Sequence, residues 1–544
     1  MTRHKYIFVI GGVMSGVGKG ITVASIGKIL SARGFKVNLV KIDPYLNVDA
    51  GTMNPTEHGE VFVLDSGLET DQDMGNYERF LDCNLGPENY MTSGMVYRSV
   101  IERERSLGYN GKFVEAIPHV RDEIITRIKR AAKVSGSDIS VVEIGGTIGD
   151  FQNALFIEAA RVMNLENPNG VIFVMVSYLP VPATIGEMKT RPTQHAVRAL
   201  NSYGIQPQII VARSAMAMDH KRKEKLAIWC NVKPENIISA PDIKSIYDVP
   251  LNFERDGLSN NLLKLLHLKA KQTDMQSWRR MVARMKNVKE ETRVAVVGKY
   301  FKTGDFVLSD VYISIIESLK HAAGSVSKKL TIEWLDSGDY ENNGSKLGEL
   351  KQYDGVLVPG GFGERGVEGK IRVIQYAREQ SIPFLGLCYG MQLAVVEFAR
   401  HVVKLKGAHT TEINQKTKYP VIDILPEQKK NLNEHNMGGS MRLGAYPAWI
   451  KEGTLAHSFY KQSQISERHR HRYEVNPDYV AALEKAGLVF SGRSPDGRLM
   501  EIVELPKSKH PFFLGTQFHP EFKSTPLHPH PLFVAFLQAA AGQK

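Results

Sequence analysis

The chain has 544 residues, 42% of them hydrophobic and 23% charged, and a net charge of +11. That length exceeds what one core supports and predicts two or more globular domains, with a positive surface that suits anionic ligands such as nucleotides. No run approaches the roughly 20 apolar residues of a membrane span. Cys83, Cys230 and Cys388 are too scattered for a disulfide framework or a CxxC metal site, and no basic block interleaved with aromatics marks a nucleic-acid tract. The expectation is a cytoplasmic protein that binds neither membrane nor nucleic acid.

The first predicted strand, YIFVI, runs into GGVMSGVGKG and a helix from Lys19 to Ala32. The loop departs from G-x-x-x-x-G-K-[ST], because Val13 stands where Gly is usual and Gly20 where Ser or Thr is usual. Backbone N–H groups from Ser15 to Gly20 can still cradle phosphate at a helix start, with Lys19 reaching the terminal phosphates. No hydroxyl at position 20 can hold Mg2+, so carboxylates elsewhere must serve. Asp73, in ETDQDMGNYERF, and Glu143, at the end of ISVVEIGG, are the candidates. KVNLVKI, DISVVEIGG, GVIFVMVSYL and QIIVAR are further strands. Being apolar on both faces and separated by helical patterns, they predict a buried parallel sheet in a doubly wound α/β domain over 1–267.

The stretch 268–291 is basic, amphipathic and without strands, and reads as a helical linker. Alternation resumes over 292–544. RVAVVGKY, KLTIEWL, YDGVLVPGG and IPFLGLC are strands of a second α/β domain, and 426–440 reads as a polar surface loop. Gly386-Leu387-Cys388-Tyr389-Gly390 is a nucleophile elbow with Cys for Ser, at a strand-to-helix turn. The positive end of the following helix dipole favours an anionic sulfur there. GTQFHPEF supplies a base, His519, and Glu521 to orient it; as a strand, this run would put both on one face. Gly360-Gly361, ending another strand, suits an oxyanion hole together with the Tyr389 N–H.

Gly386–Gln392 with His519-Pro520-Glu521 resembles the class I glutamine amidotransferase domain. The resemblance implies glutamine hydrolysis through a thioester on Cys388, with Gly361, Tyr389, Gly390, Met391, Gln392, Glu412 and Arg472 holding the glutamine. GGVMSGVGKG, KIDPYLNVDAGTMNPTEHGEVFVLDSGLETDQD, VEIGGTIGD and KTRPTQH resemble the CTP synthase family, over nearly the whole chain. That resemblance implies a ligase making CTP from UTP, ATP and glutamine. ATP would phosphorylate the uracil 4-oxygen, and ammonia tunnelled from the glutaminase would displace the phosphate. It also implies ATP binding by Gly16, Val17, Gly18, Lys19, Gly20, Ile21 and Lys41, with Asp242 near the adenine, and Mg2+ on Asp73 and Glu143. Ser15, Asp150, Gln152, Lys189, Thr190, Arg191, Gln194 and Lys225 would serve UTP or CTP, and His58 would lie near the tunnel mouth. GTP would activate through Arg365 and Glu368, and the enzyme would be a homotetramer.

The chain departs from the family pattern in places. GDFQNALF replaces GDIESLPF, so Gln152 stands for a Glu that serves CTP feedback inhibition. Arg191 replaces the Lys of KTKPTQ, keeping the charge with a different donor geometry. These departures argue against CTP inhibition and leave UTP phosphate binding in place. Tyr389 is bulkier than the aliphatic residue often next to the nucleophile, but its N–H remains. An amidotransferase acting on a carboxylate, of the cobyrinic acid amidase kind, is disfavoured by KTRPTQH. A P-loop scaffold with an inert glutaminase-like domain is disfavoured by Cys388, His519 and Glu521.

Overall fold

A computed structural model describes residues 4–542, apart from 185, 273, 300–301, 304–305, 308, 343, 362 and 425–438. Most of the expected surface loop 426–440 therefore lies outside the described residues. The chain divides into two compact units. The first is 1–50 with 73–282; the second is 51–72 with 283–544.

In the first unit, β1 (Lys5–Gly12), β2 (Val37–Asp43), β3 (Tyr90–Thr92), β4 (Ile139–Ile144), β5 (Val171–Tyr178), β6 (Ile209–Ser214) and β7 (Ile237–Pro241) form one sheet. Its order is β3-β2-β4-β1-β5-β6-β7 and every pairing is parallel. Ile7, Phe8 and Val9 of the central strand are all wholly buried. Residues on alternate faces are thus buried together, because helices cover both sides of a parallel sheet. Each such side chain contributes about 1.5–3 kcal/mol on burial, which outweighs the helix propensity of so short a run. The short edge strands β3 and β7 carry little sequence signal.

Helix α1 (Lys19–Ala32) starts directly after the glycine-rich loop. Later comes α2 (Asp73–Leu81), whose first residue is the candidate carboxylate. Among its described residues, the basic stretch after residue 267 contains one helix, α3 (Gln276–Lys286). Trp278 on it is wholly buried, donates its indole N–H to Tyr247 O at 2.9 Å and packs against Phe80.

The second unit is built on β8 (Glu291–Gly298), β9 (Lys329–Asp336), β10 (Gly355–Val358), β11 (Phe384–Leu387), β12 (Arg442–Ile450), β13 (Gln464–His471), β14 (Val489–Arg493), β15 (Met500–Glu504) and β16 (Phe513–Thr516). The order is β9-β8-β10-β11-β16-β15-β14-β12-β13. Pairing is parallel from β9 to β16 and antiparallel from there to β13. Helices α4 (Ile313–Ser325), α5 (Val367–Glu379) and α6 (Tyr389–His401) flank it. The expected strand through His519 and Glu521 is corrected here. The strand ends at Thr516, and Pro520–Lys523 is a turn of 3-10 helix that begins after His519. Pro520 supplies no N–H to a ladder but suits a first helical position.

Candidate functional site

The glycine-rich loop of the first unit leads from β1 to α1 with positive φ at Val13 (79°), Gly16 (69°) and Gly18 (87°). No side chain caps α1, which leaves its first N–H groups facing the loop. Lys19 is buried and donates to Gly146 O at 2.8 Å. Burial holds its ammonium below the usual lysine value; Glu143 opposes that shift and Lys41 adds to it.

The structure explains Gly20. A Cβ there would lie 1.9 Å from Asp73 Oδ1, so the carboxylate fills the space of the missing hydroxyl. Lys41 Nζ donates to Asp73 Oδ2 at 2.6 Å and to Glu143 Oε1 at 3.0 Å. Asp43 Oδ1 is 3.4 Å from the same ammonium, and Tyr77 donates its hydroxyl to Glu143. Burial raises Glu143 above the usual carboxylate range; Lys41 opposes this and Asp73 reinforces it.

Two cavities flank this loop's sheet. Asp242 borders one of about 220 Å³ with Gly18, Ile21 and Arg213, and its carboxylate accepts from Arg213 Nη2 at 2.9 Å. The other, of about 750 Å³, is bordered by Lys189, Thr190, Arg191, Gln194 and Lys225. Sequence reasoning missed Arg198, Lys221 and Arg222 on that wall. The signal for two of them was the basic run HKRKEK, which opens a helix (His220–Cys230). Ser15 is exposed, and neither Asp150 nor Gln152 borders this cavity. Asp150 instead accepts from the Thr147 N–H at 2.6 Å, and Gln152 is exposed.

In the second unit Cys388 has a φ of 50° and a ψ of −101°, a strained conformation for a residue with a Cβ. The strain sits on the cysteine rather than on the flanking glycines. Those are needed for close packing: a Cβ on Gly390 would lie 2.1 Å from Val358 O, and one on Gly386 2.8 Å from the Gly390 carbonyl carbon. His519 Nδ1 and Glu521 Oε1 are 2.7 Å apart. A Cβ on Gly360 would lie 3.2 Å from His519 Cε1 and 3.7 Å from Cys388 Cβ, so base and nucleophile border one point beside Gly360. Burial alone would lower His519, but the Glu521 carboxylate and the Cys388 sulfur raise it to about 10.

Cys388, His519 and Glu521 open on a cavity of about 590 Å³ that Gly360, Gly361, Glu412 and Arg472 also border. The side chains of Tyr389 and Met391 turn into the apolar core instead, and Gln392 donates to Tyr473 O at 2.8 Å. Thr52, Asn54 and Val61 line the cavity as well. These belong to 51–72, a segment held by Arg468, which donates to Asp65, and by Arg470, which donates to Glu69 at 2.7 Å. Glu60 accepts from the Ser314 N–H at the start of α4. His58, 3.8 Å from Asp71, does not border the cavity. Arg470 and Gln517, whose Nε2 is 3.8 Å from Cys388 Sγ, were missed in the sequence. Only the alternation of RHRHR pointed to Arg470.

Glu368 of the expected GTP loop pairs with Arg400 at 2.8 Å, and Arg365 lies 3.6 Å from Asp336. Among the described residues no cluster of three or more His, Cys, Asp or Glu forms a metal site, and no helix is long and apolar enough to cross a membrane.

A strained cysteine with a His–Glu pair, on the same chain as a phosphate-type loop with a buried lysine, defines a glutamine amidotransferase joined to a nucleotide-binding α/β unit. Residues 5–268 match the model of the CTP synthase N-terminus and 307–539 that of class-I glutamine amidotransferase. CTP synthase of Pyrococcus furiosus is 53% identical over 542 residues, which are 99% of this chain and 98% of the relative. That of Methanocaldococcus jannaschii is 51% identical over 550 residues, with full coverage of both. The glutaminase domain of Trypanosoma brucei CTPS with bound acivicin is 37% identical, covering 46% of this chain and 95% of that one, with a TM-score of 0.42. The chain belongs to the CTP synthase family, and it is a glutamine-hydrolysing carbon–nitrogen ligase.

Proposed function

We propose that the protein aminates UTP to CTP with nitrogen from glutamine, and that Cys388, Lys19 and their neighbours carry the two halves of the reaction. The observation that supports this most is the pairing, on one chain, of the Cys388–His519–Glu521 constellation with the Lys19 loop. The Cys388 sulfur attacks the carboxamide carbon of glutamine, and the carbonyl oxygen turns toward the Gly361 and Tyr389 N–H groups. His519 gives its proton to the departing nitrogen, releasing ammonia and leaving a thioester. Water deprotonated by His519 then breaks the carbon–sulfur bond to give glutamate. Glu521 orients the imidazole and stabilises its charged form. Arg472 suits the α-carboxylate of glutamine.

In the first unit the Ser15–Ile21 backbone and Lys19 suit the ATP phosphates, with the adenine beside Asp242. The cavity of Lys189, Arg191 and Lys225 suits the UTP triphosphate. ATP phosphorylates the uracil 4-oxygen, ammonia attacks C4, and the C4–O bond breaks so that phosphate leaves. Asp73 and Glu143 converge on Lys41 beside Gly20, and their hard oxygens fit Mg2+. When bound, that ion offsets phosphate charge. GTP activation through Arg365 and Glu368, a homotetramer and a cytoplasmic setting complete the reading.

The test is CTP formation from UTP and ATP, followed by absorbance, with glutamine or ammonium as nitrogen source. Cys388→Ala is expected to lose glutamine-dependent synthesis and keep ammonium-dependent synthesis. Lys19→Ala is expected to lose both. Wild-type turnover by Lys19→Ala, or loss of both reactions in Cys388→Ala, would overturn the assignment.

A further inference from the structure

Pro359 and Gly363, on either side of the Gly360-Gly361 pair proposed to supply an oxyanion donor, are gripped by two buried lysines. Lys370, on α5, is wholly buried, and its Nζ donates to Pro359 O at 3.5 Å. Lys299 donates to Gly363 O at 2.6 Å, and Glu412 accepts from the Gly363 N–H at 3.0 Å. Both ammonium groups lie 5.6 Å from the centre of the Tyr389 ring, the residue that follows the nucleophile. A lysine in such a place is expensive to keep charged: it has one long carbonyl contact and a ring face in exchange for its hydration. A methionine would fill the space at lower cost. The turn and the ring therefore gain something from the charge.

We infer that Lys370 is a positioning residue of the glutaminase: its ammonium, held against Tyr389 and Pro359 O, fixes the backbone on both sides of Cys388 in the geometry the reaction needs. The inference rests on Cys388 being the glutaminase nucleophile. Lys370 holds its charge marginally. Burial brings its ammonium down from the ordinary 10.5 to about 7, and Lys299 pushes the same way. Cys388 and Glu412 pull it back up. Lys299, with Glu412 and Glu341 raising it and Arg365 lowering it, is itself brought to about 8 by burial. Lysine loses its charge as pH rises, so the assistance is present below about 7 and fades above it.

The experiment is the pH dependence of glutaminase kcat and KM in the full-length protein. The wild type is expected to lose kcat as pH rises through about 7. Lys370→Met is expected to lower kcat about tenfold at pH about 6.5, with KM little changed and that loss with pH abolished. Tyr389→Leu is expected to lower kcat as well, and the double variant to cost less than the product of the two, since one acts through the other. A wild-type thermal unfolding transition, together with ammonium-dependent CTP synthesis at the wild-type rate, reports that Lys370→Met is folded. A wild-type kcat with no loss near pH 7, or a folded Lys370→Met with wild-type kcat and pH profile, would overturn the inference. Cys388→Ala, assayed alongside, tests the nucleophile separately: glutaminase activity in that variant removes the base on which the inference stands.

Discussion

Gly20 and Asp73 act as one unit although 53 positions separate them in the numbering. A serine at 20, which the common loop pattern prefers, would force Asp73 aside and break its contact with Lys41. Gly20→Ser is thus expected to cut ammonium-dependent CTP synthesis at least tenfold while leaving basal glutaminase activity in place, measured in paired assays. His519 carries a second prediction. Its pKa is raised from 6.5 to about 10, so the stability that its pairing adds is fully present below about 6.5 and is lost as pH rises through about 10. Glu521→Gln removes the largest raising influence. Thermal unfolding of this variant should lose part of that dependence, and its glutaminase kcat should fall by about 10²–10⁴-fold. Cys388, His519 and Glu521 were legible as a set because each residue type has a distinct role and the elbow fixes the first. Gly20's reason was not legible: it lies in a contact with a residue on another helix.

At the scale of elements, the parallel strands β1, β2, β4, β5 and β6 were legible because burial on both faces writes an unbroken apolar run. The antiparallel half of the second sheet was not. β13 reads QISERHRH, with charged residues on both faces, and belongs to a strand only because Arg468 and Arg470 are met by acidic partners. Arg468 is wholly buried and donates to Asp65 and, at 3.1 Å, to Val63 O. Arg468→Leu removes the donor to Val63 O and leaves Asp65 to Lys523, 3.6 Å away, and is expected to destabilise the second unit by about 1.5–3 kcal/mol. Denaturant unfolding measures this. Limited proteolysis should show earlier cleavage within 51–72; equal protection in variant and wild type would contradict the clamp.

For the whole molecule, sequence order and compact units diverge. The CTP synthase N-terminal match runs through 5–268 without a break, yet 51–72 folds into the unit that carries the cysteine. That excursion adds Thr52, Asn54 and Val61 to the lining of the cavity that Cys388 borders. Regulation also belongs at this scale. Gln152 is exposed on its short 3-10 turn and takes no part in the Lys189 cavity, so its effect is expected on inhibition rather than on turnover. Gln152→Glu should strengthen CTP inhibition of synthesis with kcat unchanged, read from initial rates at fixed UTP; identical inhibition in both proteins would count against the role.

The amino-acid order by itself determined the two α/β halves, the elbow at Cys388 and the phosphate-type loop, because these depend on local spacing and on apolar periodicity. Tertiary structure decided the rest: Asp73 in the space beside Gly20, Lys41 between two carboxylates, buried Lys370 against the Tyr389 ring, and 51–72 lining the cavity of Cys388. Those arrangements join residues far apart in the chain, and they are set by which charges burial forces into contact, a condition that no local pattern encodes.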